Sequence, residues 1–201
     1  MCKSAFETSR KICYNYIKEK YLHKRKMVIM MFNIGEYVVY GSGEVCRVED
    51  MTKRCFDGVS SNEYYKLAPV EYRNSAYYIP VKTADSGIRR VLTKEEVYGI
   101  IDCIPKTEAL RISDKNERAE RFGSILKSCD LEGIVSIIKA VYEERENRAD
   151  NGKRLFAADE KAFAAAEHIL HGEFAFVLGI KENEVPDFIR QRLSKSQSVS
   201  D

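Results

Sequence analysis

The chain has 201 residues, 44% of them apolar and 32% charged, which is enough to bury a core and excludes a chain that is disordered throughout. Its formal net charge is only +2, so a global positive field is excluded as a source of nucleic-acid affinity. No run of about 18 apolar residues occurs, which excludes a spanning helix, and the expectation is a cytoplasmic protein with no membrane partner.

Charge is unevenly spread. Residues 1–30 carry eight Lys/Arg against two Glu, whereas residues 31–201 carry 25 basic and 29 acidic side chains. The opening segment is read as a basic extension, with Ile12, Tyr16 and Ile17 forming only a thin apolar stripe. It is expected to add no fold and to reflect a start assigned too early, with Met27, Met30 and Met31 as alternative starts. A basic arm for nucleic acid is the competing reading.

From Met31 to about Arg90 the apolar period is two. Glu36–Tyr40 is rich in β-branched and aromatic residues, Gly41-Ser42-Gly43 is a turn signal, and Glu44–Met51 alternates as a second strand. Phe56-Asp57-Gly58 marks the tip of the next hairpin, followed by strands over Glu63–Ala68 and Ala76–Val81. Pro80 cannot donate to a ladder, so the last of these is an edge strand or ends there. Four or five short strands at this spacing predict a small, strongly bent sheet, a Tudor- or SH3-like partial barrel.

After Ser86-Gly87 the period changes. Thr93-Lys-Glu-Glu96 is a capping box that starts a helix with Val97, Ile100 and Ile101 inward, ending near Pro105. Ser113 and Asp114 offer caps for a second helix presenting Phe122, Ile125 and Leu126. Asp130 caps a third with Ile134, Ile137, Ile138, Val141 and Tyr142 at helical spacing, broken by Asn151-Gly152. A fourth runs from Ala157 to Leu178, and a short fifth holds Val185, Phe188, Ile189 and Leu193 before a frayed tail from Ser194. The predicted class is α+β. A basic extension (1–30) precedes a β domain (31–90), a helical domain of about five helices (91–195) and a disordered tail (196–201).

Motifs for chemistry are weak. Gly41-Ser-Gly43 leads into a strand rather than a helix, so a hairpin turn is favoured over a phosphate loop. Six cysteines (Cys2, Cys13, Cys46, Cys55, Cys103, Cys129) form no C-x-x-C pair and are read as reduced thiols packed as small hydrophobes. His168 and His171 lie one helical turn apart without an evident third ligand, and His23 is remote. The acidic pairs Glu95-Glu96, Glu143-Glu144 and Asp159-Glu160 are read as solvated faces. No nucleophile elbow occurs, and the expectation is a non-enzyme with no cofactor, metal or small-molecule substrate.

Three segments together resemble the CarD/CdnL family of bacterial RNA polymerase-binding regulators. They are Met31-Phe-Asn-Ile-Gly-Glu-Tyr-Val-Val-Tyr40, the helix Asp130–Arg145, and Ala158-Asp-Glu-Lys161 followed by Ala164–Glu173. The resemblance runs from Met31 to about Leu178. It implies that the β domain docks on the β subunit of RNA polymerase. The contact would fall to Met51, Thr52, Lys53 and Arg54 in the hairpin and to Tyr77, Tyr78 and Ile79 in the edge strand. From the residues alone, Tyr77–Ile79 is equally an ordinary core strand or an edge that pairs with a partner.

The resemblance also implies that the helical domain contacts promoter DNA to stabilise the melted state. Candidates are Lys115, Arg118, Arg121, Lys127, Arg145, Arg148, Lys153, Arg154 and Lys161. Composition favours a mixed-charge solvated surface instead, since residues 106–201 hold 16 basic and 18 acidic side chains. Many family members insert a Trp into the minor groove, and this chain has no Trp. The corresponding position falls near Lys115, which can contact phosphate but cannot wedge. Either the wedge is absent, or a residue such as Phe122 partly substitutes, or this branch works differently. The segment Asn147–Phe156 is longer than the family's loop.

Overall fold

The structure is a computed structural model that describes residues 32–41, 43–56, 61–71 and 75–197. The expected basic extension, Ser42 of the first turn, the Asp57-Gly58 hairpin tip and residues 198–201 lie outside the described residues.

Five strands form one antiparallel sheet: β1 (Tyr37–Tyr40), β2 (Glu44–Arg54), β3 (Asn62–Pro69), β4 (Tyr77–Pro80) and β5 (Ile88–Arg90). Their order is β4-β3-β2-β1-β5, so the sheet is open, with β4 and β5 at its edges. A stretch of 3-10 helix, Val81–Ser86, carries the chain from one edge to the other. The expected edge position of Pro80 is observed, because an edge is where a missing N–H costs least. β5 was not among the predicted strands. Three residues are too few to display alternation.

Glu49 is an extra residue in β2: Val48 pairs with Leu67 while Asp50 pairs with Lys66. This bulge lets Val48 and Met51 share one face, and it bends the long strand. One sheet face buries Val38, Cys46, Val48, Tyr65, Leu67 and Ile88, closed by Phe32 and Ala84. The Tyr65 hydroxyl accepts from the Phe32 N–H at 3.1 Å, satisfying a buried polar group.

Five helices follow: α1 (Lys94–Cys103), α2 (Lys115–Ser128), α3 (Leu131–Asp150), α4 (Ala157–Leu178) and α5 (Val185–Gln197). Their shared core joins Val97 and Ile101 to Phe122 and Ile125, Ile134 and Ile137, Leu170 and Phe174, and Val185. The Thr93 capping box forms as expected, and Asp114 caps α2 through the N–H groups of Asn116 and Glu117. Asp130 stands at the start of α3 without a side-chain capping bond. Tyr142 is 53% exposed rather than buried, and α5 continues as helix to Gln197.

Two acidic residues expected on solvated faces are buried. Glu96 is 4% and Asp159 5% exposed, because each carboxylate is held by an arginine, Arg90 and Arg118 respectively. Cys46 and Cys103 are packed as small hydrophobes, whereas Cys55 is exposed and Cys129 half-buried. Burial, assisted by the nearby Glu44 charge, pushes the Cys46 thiol up to about 12.

Sheet and bundle are fastened together. Arg89 of β5 donates to both oxygens of the fully buried Glu173 of α4, at 2.8 and 2.7 Å, and the Leu92 N–H adds a third bond at 3.0 Å. Burial opposes the Arg89 charge, but the hydrogen bonds and charge of Glu173 outweigh it and raise the guanidinium above its ordinary value. Tyr37 packs at a tilt against Phe176 with ring centres 4.8 Å apart, and the Cys129 thiol donates to the Gly41 carbonyl at 2.9 Å.

Candidate functional site

Strand parity sorts the residues at the β4 edge. Tyr65 and Leu67 of β3 face the core, so their partners Ile79 and Tyr77 face it too. Ile79 and Tyr77 pack against that core, and the Tyr77 hydroxyl donates to Glu44 at 2.9 Å. Tyr64 and Lys66 face the other way, with Tyr78 opposite Lys66 and Thr52 opposite Tyr64. The seven expected contact residues are therefore divided: Thr52, Arg54 and Tyr78 share the outer face, while Met51, Lys53, Tyr77 and Ile79 take the inner parity.

On the outer face an aromatic cluster forms. Phe56 is 61% exposed and packs edge-on to Tyr64 and Tyr78, with ring centres 5.0 and 5.6 Å away. The Arg54 guanidinium lies 5.2 Å from the Tyr78 ring centre. Flanking charges are already matched, Lys66 with Glu49 at 2.7 Å and Lys53 with Glu63 at 3.8 Å. Phe56 and Tyr64 were not among the expected contact residues. Tyr64 was legible, since Lys66 two positions on marks the solvent-facing parity of β3. The patch borders β4, whose outer edge pairs with no strand among the described residues. It offers hydrogen-bonding backbone beside one exposed and two half-buried rings and a cation, which is the chemistry for docking an extended protein segment.

The helical candidates gather only in part. Phe156 precedes α4 as its N-cap residue, and its ring takes a cation from each of two helices. Lys115 Nζ of α2 lies 4.1 Å and the Arg148 guanidinium of α3 3.7 Å from the ring centre. Arg148 Nε donates to Glu144 at 2.5 Å and its Nη1 to the Arg154 carbonyl at 3.2 Å, while the Lys153 N–H returns to the Arg148 carbonyl at 2.8 Å. Arg118 is bound to Asp159 at 2.6 Å with its side chain 17% exposed, so that charge is internal to the bundle. Burial pushes the Asp159 carboxyl up more than the Arg118 guanidinium pulls it down.

Arg145 lies against the Phe163 ring at 4.5 Å. Arg121, Lys127, Lys153, Arg154 and Lys161 are exposed, and Lys127 sits at the far end of α2, about 18 Å along the axis from Lys115. Phe122 is 2% exposed in the core and cannot serve as a wedge. Sequence reasoning missed Phe156, whose only signal was an aromatic residue directly before a helix.

The two histidines of α4 lie apart from these surfaces. His168 Nδ1 is 3.1 Å from Glu182, and burial lowers the half-buried His171 below the ordinary imidazole value. Among the described residues, no group of three or more His, Cys, Asp or Glu side chains is placed to hold a metal, and no single helix is long and apolar enough to cross a membrane.

Residues 32–92, which span the whole sheet, match the CarD-like/TRCF RID domain, consistent with the CarD/CdnL family. Domains of that family are non-catalytic polymerase-interaction domains. No curated protein matches the chain.

Proposed function

We propose that this protein is a transcription regulator that binds the RNA polymerase β subunit through its sheet and contacts promoter DNA through its helical bundle, tuning the open complex. The match of residues 32–92 to a polymerase-interacting domain carries the reading and points to transcription regulation. The outer-face cluster of exposed Arg54 and Phe56 with half-buried Tyr64 and Tyr78 supports it, because a strand edge that pairs with no strand among the described residues, flanked by aromatic anchors, suits a protein partner. On the helical side, Lys115, Arg121, Lys153 and Arg154 are exposed and supply positive charge for phosphates.

A second reading is favoured by one specific observation. Arg118 and Arg148 are each paired with a carboxylate, which removes two candidates from the free positive charge of the bundle. On that reading the chain is an adaptor that docks on polymerase without touching DNA.

Promoter melting separates the two. Full-length chain is added to polymerase on a promoter carrying a fluorescent base at the upstream edge of the bubble. The regulator reading predicts a changed open-complex lifetime. Polymerase binding without any change in melting or DNA protection would establish the adaptor instead.

A further inference from the structure

We propose that Phe156 is a positioning residue for a phosphate-gripping surface, its ring fixing Lys115 directly and, through the Glu144-paired Arg148, the Lys153-Arg154 loop against the nucleic-acid backbone. The inference rests on the DNA-contact reading above and names the residue that organises that contact and the chemistry it takes. A phenylalanine just outside a helix normally covers core. Here its ring instead receives two cations from two helices, at 4.1 and 3.7 Å. A ring flanked in this way is not free to enter a base step as an apolar wedge.

What the ring holds is a chain of contacts. Arg148 is fixed on Phe156 and on Glu144, and through Nη1 it grips the Arg154 carbonyl. The Lys153 N–H closes back on the Arg148 carbonyl. The loop after α3 is thereby pinned at both of its basic residues, whose side chains remain exposed, as does Lys115 at the start of α2. Nη2 of Arg148 keeps no hydrogen-bond partner among the described residues. Positive groups held in place by backbone and ring contacts lose less freedom on meeting phosphate than free surface lysines do. Recognition of this kind reads the backbone, is independent of base sequence and is steeply salt-dependent.

The test measures binding of a short DNA duplex to the full chain as a function of salt, for wild type, Phe156→Leu, Phe156→Tyr and the double variant Lys115→Gln/Arg148→Gln. Phe156→Leu keeps apolar volume without the ring and should bind roughly threefold to tenfold more weakly. Phe156→Tyr keeps the ring and should retain affinity, which separates the ring's electrostatics from folding. The double variant should flatten the dependence of log K on log salt by about 0.9 for each phosphate it no longer neutralises. Adding Phe156→Leu to it should weaken binding little further, since the ring then has nothing to position. Equal binding by wild type and Phe156→Leu, or an equal effect of Phe156→Leu in both backgrounds, would overturn the inference while leaving DNA contact standing. Absence of DNA binding by wild type at low salt would overturn the DNA-contact reading itself, and this inference with it.

Discussion

Gly43 meets two constraints at once. Its φ of 97° is strained for any residue with a side chain, and a Cβ there would lie 2.7 Å from Ile169 Cγ2 and 3.2 Å from the Ile169 Cα. The turn after β1 is thus also a point of very close approach between sheet and α4. Gly43→Ala should lower stability by about 2–4 kcal/mol, combining backbone strain and overpacking. Chemical denaturation would register this as a lower midpoint, and an unchanged midpoint would contradict the packing described. The turn itself was legible in Gly41-Ser-Gly43, because conformational freedom is a local property. The approach of Ile169 was not, since no local pattern ties two residues so distant in the chain. Glu96 and Asp159 fall between these cases. The capping box exposed the role of Glu96, whereas the arginines that bury both carboxylates come from outside their own helices.

Elements were legible where they were long or punctuated. The predicted fourth helix, Ala157–Leu178, coincides with α4, its end marked by Gly179 at φ 71°. β5 was missed, and it carries the fastening of sheet to bundle through Arg89 and Glu173. Glu173→Ala strips Arg89 of its carboxylate and leaves the Leu92 N–H without its acceptor. It should cost about 3 kcal/mol, the loss typical of breaking a buried pair by removing one partner. Replacing both partners by methionine should recover most of that loss, because no uncompensated charge then remains. A double variant no more stable than Glu173→Ala would show that the ion pair is not what holds these elements together. The candidate site on β4 was half legible. Pro80 announced the edge, but only the register of β3 against β4 separates Tyr78 from Tyr77 and Ile79.

At the scale of the whole molecule, the change of period near Ser86-Gly87 disclosed a sheet followed by helices, since each period reports its own element type. How the two pack could not be read from periodicity, because it depends on contacts between them. Those contacts place the outer face of the sheet and the exposed Lys115, Lys153 and Arg154 of the bundle on one fastened body. Docking at one surface then fixes where the other falls, which is how a polymerase-bound sheet would present the bundle to promoter DNA. That consequence depends first on the sheet edge binding polymerase. Full-length chain and its Tyr78→Glu variant would be immobilised, matched for melting temperature, and challenged with a fragment of the polymerase β subunit. Wild type should retain the fragment, and placing a charge on the outer face of β4 should weaken retention by about tenfold or more. Equal retention by both proteins, or none by wild type, would contradict docking at this edge.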